Sequence, residues 1–320
     1  MKHTFLFLFL VFSLFSCSSD SSDNTPISED NPTEEPIAEV AEDDNDTASA
    51  FDDGSMRNLT SFEIASEMQI GWNLGNSMDA EGPDETFWGN PVTTQEMINS
   101  VSNRGFKTLR IPVTWRFHQG PAPDYIIEEE WLDRVEEIVN YGRANDMYVI
   151  INVHHDDEWI IPTAAMTDRV TDRLSKLWTQ VANRFRDYSD YLIFETLNEP
   201  RFEGTPEEWT GGTEEGRIAV NQYHRASLDA IRATGGNNSL RHLMISTYAA
   251  STLPVAMDAL EIPNNDPRTM ISLHTYFPFP FTLGGTDDTW GSDNDRAELE
   301  AEMDRIRTQF IDNGLSLIHI

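Results

Sequence analysis

From residue 57 onward, short apolar runs alternate with longer stretches whose apolar residues recur every three or four positions. The runs predict strands at 69–76, 108–113, 147–153, 191–197, 242–247 and 270–274. Helices are expected at 93–104, 131–145, 170–188, 215–233 and 295–313. Leu132, Val135, Ile138 and Val139 form the stripe of one helix, and Leu174, Leu177, Val181 and Phe185 that of another. Gly314 is placed to cap the last helix, and Leu317-Ile318-His319-Ile320 begins a seventh strand. Strands that are apolar almost throughout belong in a parallel sheet covered on both faces. The chain is therefore expected to be of the α/β class.

An open doubly wound sheet and a closed barrel both fit this alternation. The first strand runs through Gly71-Trp72-Asn73-Leu74-Gly75-Asn76, which sets bulky and amide residues where a dinucleotide needs bare backbone. Polar groups able to bind or protonate a ligand fall at the ends of nearly all strands. They are Asn73 and Asn76, Arg110, His154 and His155, Asn198 and Glu199, and His274 with Tyr276. Such groups at the C-terminal ends of many strands mark a (β/α)8 TIM barrel. The expected fold is that barrel in incomplete form, over residues 57–320, with six strands and the start of a seventh.

The fourth strand carries the sharpest signal. Tyr191-Leu192-Ile193-Phe194 leads into Glu195-Thr196-Leu197-Asn198-Glu199-Pro200, and Pro200 has no N–H with which to continue the pairing. Glu199 is thereby placed at the lip, where it can handle a proton while Asn198 holds a substrate hydroxyl. Ordinary turn chemistry would also account for Asn-Glu-Pro taken alone.

Composition adds a compartment and a charge. Met1-Lys2-His3 precedes the apolar run from Phe5 to Phe15, which is too short for a permanent membrane span. Ser16 stands before Cys17, the only cysteine of the 320 residues, in a pattern that resembles a bacterial lipoprotein signal with Cys17 lipidated. Export is expected, to the cell surface or periplasm through a lipid anchor, or as a plain secreted protein. Residues 18–56 hold thirteen Asp or Glu and no Lys or Arg, a composition that cannot offset its ordering entropy and is read as an extended tether. The formal charge of −33 argues against nucleic acid and suits a neutral substrate.

The motifs Ile70-Gly71-Trp72-Asn73-Leu74-Gly75-Asn76, Phe87-Trp88-Gly89-Asn90-Pro91, Leu109-Arg110-Ile111-Pro112-Val113-Thr114-Trp115, Asn152-Val153-His154-His155, Leu197-Asn198-Glu199-Pro200 and His274-Thr275-Tyr276 together resemble glycoside hydrolase family 5. The likeness is nearest to its subfamily 4 of endo-β-1,4-glucanases and xyloglucanases, and covers residues 65 to about 280. It implies a (β/α)8 barrel that cleaves β-linked glycans with retention, using two glutamates. Glu199 then resembles the general acid/base, and Asn198 the partner of the sugar 2-hydroxyl. Arg110 resembles the arginine that hydrogen-bonds the nucleophile. His154, His274 and Tyr276 resemble residues lining the cleavage subsite, with His155 supporting the substrate or packing. Asn73 and Asn76 are further candidates for substrate contact. Trp72, Trp88, Trp115 and Trp159 are candidate sugar platforms, Trp88 the first among them, with Trp72, inside a strand, the one placed for the core. The implied partner is a β-glucan polysaccharide met by a monomer, with no cofactor. Xylan or mannan as substrate and a non-catalytic glycan-binding lipoprotein are the alternatives.

One departure from the pattern stands out. The family's nucleophile follows an apolar run leading to Gly-Glu-Phe or Gly-Glu-Trp, but Asn313-Gly314 is followed here by Leu315-Ser316-Leu317-Ile318-His319-Ile320. The nucleophilic Glu is thus expected to be absent from this chain, as in a sequence cut short. Glu195 is not expected to replace it, being four residues before Glu199 and deep in the barrel wall. His154-His155-Asp156-Asp157 has the composition of a metal cluster, yet neighbouring residues of a strand point to opposite faces, so no metal is expected.

Overall fold

The structure, a computed structural model, describes residues 52–319. Seven parallel strands form one sheet in chain order. They are β1 (Gly71–Asn73), β2 (Thr108–Ile111), β3 (Tyr148–Asn152), β4 (Leu192–Glu195), β5 (Leu243–Ser246), β6 (Thr269–Leu273) and β7 (Leu317–His319). The helices are α1 (Ser61–Met68), α2 (Gln95–Ser102), α3 (Glu129–Arg143), α4 (Thr167–Arg184), α5 (Glu214–Ala233), α6 (Pro254–Met257), α7 (Phe279–Thr282) and α8 (Asp293–Gln309). Each strand pairs with the next, as in an incomplete (β/α)8 barrel.

The strands are shorter than expected, and for local reasons. β1 ends at Asn73; after one more ladder bond, from Leu74 N–H to the Arg110 carbonyl, the chain turns at Asn76, whose φ is +60°. β4 ends at Glu195, so Asn198 and Glu199 lie in the loop beyond it, with the Asn198 N–H still bonded to the Val153 carbonyl. Gly314, at φ +80°, closes a short 3-10 turn after α8. Cys17, the signal-like segment and nearly all of the acidic tether lie outside the described residues. Asp52 does not, and it is buried: Arg143 Nε, Ser189 Oγ and the Ser189 N–H all donate to its carboxylate. The domain's contacts thus begin before residue 57.

The sheet has two faces and its inward face two levels. Leu109, Ile111, Val149, Ile151, Leu192, Phe194 and Leu243 join the outer core, together with the apolar stripes of α3, α4 and α5. Inside, Tyr148, Ile150, Ile193, Met244 and Met270 pack against Ile64 and Met68 of α1, which closes the bottom of the barrel. Thr60 and Glu63 begin α1 with a reciprocal capping box. Ser316 Oγ donates to the Ser61 carbonyl, and Ser61 Oγ to that of Pro267, tying this lid to the last strands. Two residues further along three of these strands, on the same face, polarity reverses: Ile150 gives way to Asn152, Ile193 to Glu195 and Met270 to Ser272, while on β2 Arg110 follows Thr108. That polar level is the floor of the cleft.

Arg241 braces the lower end of the wall. It is fully buried and donates to the carbonyls of Phe185, Tyr188, Ser189 and Leu192 and to Asn238 Oδ1, with its guanidinium 4.9 Å from the Phe194 ring. Burial pulls it down to about 9, so it remains charged at neutral pH.

Candidate active site

The polar floor is organised around one carboxylate. Glu195 Oε2 accepts from Arg110 Nε at 2.8 Å and from Asn152 Nδ2 at 2.9 Å, while Oε1 accepts from Ser272 Oγ at 2.7 Å. Burial alone would push Glu195 upward, but Arg110 and His274 hold it at about 2. Arg110, itself buried, also donates to Asn73 Oδ1 and Asn198 Oδ1, each at 2.9 Å. The carboxylate partner of Arg110 among the described residues is therefore Glu195, where a C-terminal nucleophile was expected. Glu195 is the last residue of β4 and fully buried, deep in the barrel wall as expected, with its carboxylate turned to the interior beneath the cleft.

Glu199 stands above this floor. Its Oε1 is hydrogen-bonded to His274 Nδ1 at 2.8 Å, and His274 Nε2 stands 4.0 Å from Glu195, so the imidazole lies between two carboxylates and is bonded to one of them. Burial pushes His274 down and the two carboxylates more than reverse it, leaving it above its ordinary value. Burial pushes Glu199 up, and the His274 bond with the charges of Arg201 and Arg110 brings it below the usual carboxylate range. In the free site the shared proton therefore resides on His274.

Glu199 and His274 border a cavity of about 630 Å³ whose other walls include Trp209, Leu253, Tyr276 and Phe279. Trp209 and Tyr276 are more than half exposed, and flat apolar rings on a cleft wall suit the C–H face of a sugar. Nothing in the sequence singled out Trp209. Arg201 holds that loop: it donates to Glu208 Oε1 and the Glu199 carbonyl and sits 4.8 Å from the Trp209 ring.

Trp88 is 40% exposed and meets the His155 ring edge-on at 5.6 Å, which sets it beside the His154–His155 pair after β3. Trp115 and Trp159 are buried, their indole N–H groups donating to the Asn152 carbonyl and Asp156 Oδ1; they belong to the core. Trp72 packs partly against the core, as expected. Asn73 reaches the site through Arg110, whereas the exposed Asn76 serves the turn after β1 and joins none of these bonds.

The two adjacent histidines do not point apart. β3 stops at Asn152, so the strand rule does not extend to His154 and His155, whose ring centroids are 4.5 Å apart. With Asp79 their ligand atoms all lie within 4.8 Å of one another. Hydrogen bonding nonetheless opposes a metal there. Asn152 Oδ1 accepts from the Val113 N–H and its Nδ2 donates to Glu195, so that amide can offer His154 Nδ1 only an N–H, at 3.0 Å. Nδ1 must accept and the ring proton sits on Nε2, which makes His154 a donor and not a ligand. Burial, helped by Arg110, holds His154 well below its ordinary value and so neutral.

Comparison with known proteins agrees with this geometry. Residues 73–319 match the family described as cellulase (glycosyl hydrolase family 5). Endoglucanase B of Clostridium cellulovorans is 51% identical over 267 residues, 82% of this chain and 60% of that protein. The cellulase/esterase CelE of Acetivibrio thermocellus is 51% identical over 265 residues, 82% of this chain and 32% of that one. The chain therefore spans three fifths of the length of the first of these relatives and about a third of the second. Among solved structures, ZgEngAGH5_4 in complex with a cellotriose superposes with a TM-score of 0.81 at 57% identity, covering 82% of this chain and 80% of that one. A GH5-4 broad specificity endoglucanase from Clostridium acetobutylicum gives 0.80 at 49% identity, covering 81% and 79%.

Proposed function

The chain belongs to the cellulase family, glycosyl hydrolase family 5, and from that premise we propose that the protein is an endo-acting β-1,4-glucanase with Glu199 as its general acid/base. The observation that carries this reading is the carboxyl of Glu199, bonded to His274 at the wall of an aromatic-lined cavity, directly above a floor of oriented donors. The cellotriose held by ZgEngAGH5_4 supports a β-1,4-glucan as substrate.

The chemistry follows from the proton inventory. Breaking a glycosidic link requires a proton on the departing oxygen as the C–O bond lengthens. In the empty cleft that proton is on His274, 2.8 Å from Glu199. A glucan chain entering the cavity displaces water from the Glu199 carboxyl and strengthens the upward push of burial. The proton then moves across the hydrogen bond to Glu199, which delivers it to the leaving oxygen as the anomeric carbon passes to a nucleophilic carboxylate other than Glu195. Glu199, now a carboxylate, next takes a proton from the water that displaces that carboxylate and frees the product. Asn198 contributes an aimed donor. Its Oδ1 faces Arg110, so its Nδ2 hydrogens are left for a sugar hydroxyl. His154 Nε2–H offers a second donor from the far side. Glu195 does not supply the second carboxylate of a retaining pair, because it is fully buried and both its oxygens are bonded to the floor.

The test is to incubate the chain with mixed-linkage β-glucan and with xyloglucan, following viscosity and new reducing ends together, beside a glycan-affinity gel. Endo cleavage is expected to lower viscosity steeply while few ends have appeared. A folded chain that is retarded by the gel but releases no ends would instead be a non-catalytic glycan binder.

A further inference from the structure

We propose that Glu195 is a positioning residue of this site: its acceptor oxygens orient Asn152 and Arg110, and through them set His154 and Asn198 as hydrogen-bond donors toward the glycan. The inference deepens the proposed glycosidase reading and rests on it.

A carboxylate at this depth needs a reason. Glu195 follows Leu192-Ile193-Phe194 at the end of β4 and is 0% exposed. Neutralising one buried arginine would account for a single ion pair, and Arg110 Nη2 does lie 2.7 Å from Glu195 Oε2. The remaining bonds go beyond neutralisation. Oε2 also takes one amide hydrogen of Asn152, and Ser272 from the opposite side of the interior fixes Oε1. The carboxylate is therefore held at both oxygens and cannot turn.

Two chains of direction leave it. In the first, Asn152 is fastened by the Val113 N–H on its oxygen and by Glu195 on its nitrogen, so its second amide hydrogen points at His154 Nδ1. A lone pair must face that hydrogen, which places the imidazole proton on Nε2. Were the Asn152 amide free to turn over, its oxygen would favour the other tautomer and a lone pair would replace the Nε2 donor. In the second, Arg110 is oriented by Glu195 and Asn73, and its Nη2 claims Asn198 Oδ1. Asn198 can then present only its amide hydrogens. One buried acceptor thereby dictates the polarity of two side chains that themselves touch the cleft.

The proposal separates acceptor geometry from charge, and so does its test. Glu195→Gln keeps one acceptor oxygen for Asn152 and Arg110 and can donate to Ser272, whereas Glu195→Ala removes every acceptor. The ring ¹⁵N shifts of His154 at neutral pH report its tautomer directly, and calorimetry with cellotriose reports the consequence. The native protein and Glu195→Gln are expected to show the Nε2–H form. Glu195→Ala is expected to show a mixture of tautomers and to bind cellotriose about tenfold more weakly, as befits a lost or reversed hydrogen bond. Should Glu195→Ala fail to fold, Asn152→Ala carries the test, since it leaves the Arg110–Glu195 pair in place and frees the same imidazole nitrogen. An unaltered Nε2–H tautomer in the folded variant or variants lacking the bond would overturn the proposal, as would loss of that tautomer in Glu195→Gln. If the native protein itself bound no cellotriose, the glycosidase reading would fall, and the tautomer comparison would still decide the role of Glu195.

Discussion

Replacing Glu199 by Gln should slow hydrolysis of β-glucan by about a thousandfold, in the middle of the range for a lost general acid/base. The amide keeps the shape of the side chain and can still meet His274, so folding and glycan retention should hardly change. The loss should also depend on the leaving group. A natural glucan leaves as a poorly stabilised alkoxide and needs the proton, whereas an aryl cellobioside with a strongly acidic phenol does not. For the aryl substrate the first bond breakage should fall far less than for the polymer. Equal losses on both substrates would show that Glu199 does not protonate the departing oxygen. The pH dependence has a definite sign. Because Glu199 lies below and His274 above their ordinary values in the free site, raising the pH through the His274 titration removes the stored proton and lowers activity on the alkaline side.

The second large effect is on stability. Arg241→Met should cost on the order of 3–5 kcal/mol, because it takes away a buried cation and leaves the acceptors built around it short of donors. Four main-chain carbonyls and Asn238 Oδ1 each lose a charged donor together, at the packed junction of β4, α4 and the turn before β5, and those of Phe185, Tyr188 and Ser189 are left with a single neutral N–H each. A domain of this size shifts by roughly 2–4 °C per kcal/mol, so the melting temperature should drop by about 10 °C. Arg307→Met is the matched control, since that side chain is 64% exposed and its ion-pair partner among the described residues is the surface Asp312. Thermal melts by circular dichroism decide the matter: coincident curves for the two variants would mean that the carbonyl cage around Arg241 contributes nothing.

Much of this architecture was legible from the chain. Apolar strands separated by amphipathic helices gave the seven strands and their order, because a sheet buried on both faces writes itself as unbroken runs. Asn198, Glu199, Arg110, His154 and His274 were legible as well, each standing just after or within such a run. The hub was visible in principle and went unread: a charge at Glu195 and an amide at Asn152, inside otherwise apolar strands, demand partners. What misled was the period-two rule, carried past Asn152 into the loop that holds His154 and His155. Trp209 and Arg201 had no local signal at all, since their role depends on where a long loop returns over the cleft. Trp115 and Trp159 were over-read for the opposite reason, as composition cannot tell a tryptophan facing sugar from one donating its N–H to the core.

The tie between α1 and the last strands has a kinetic meaning. Ser61 and Ser316 are 255 positions apart, and Ser61 and Pro267 are 206 apart. Contacts of such separation return no energy until the intervening chain has closed, and high contact order slows folding. On the ribosome α1 emerges before all the strands, yet Met244 and Met270 reach Ile64 and Met68 only after β5 and β6 have been made. At ordinary elongation rates the helix waits for roughly ten to forty seconds with its apolar face uncovered. α1, the first of the described helices to be synthesised, is thus among the last to be secured. Pulse-labelled hydrogen exchange during refolding would show its amides protected after those of α4 and α5, whose mutual contacts are local; simultaneous protection would contradict this order.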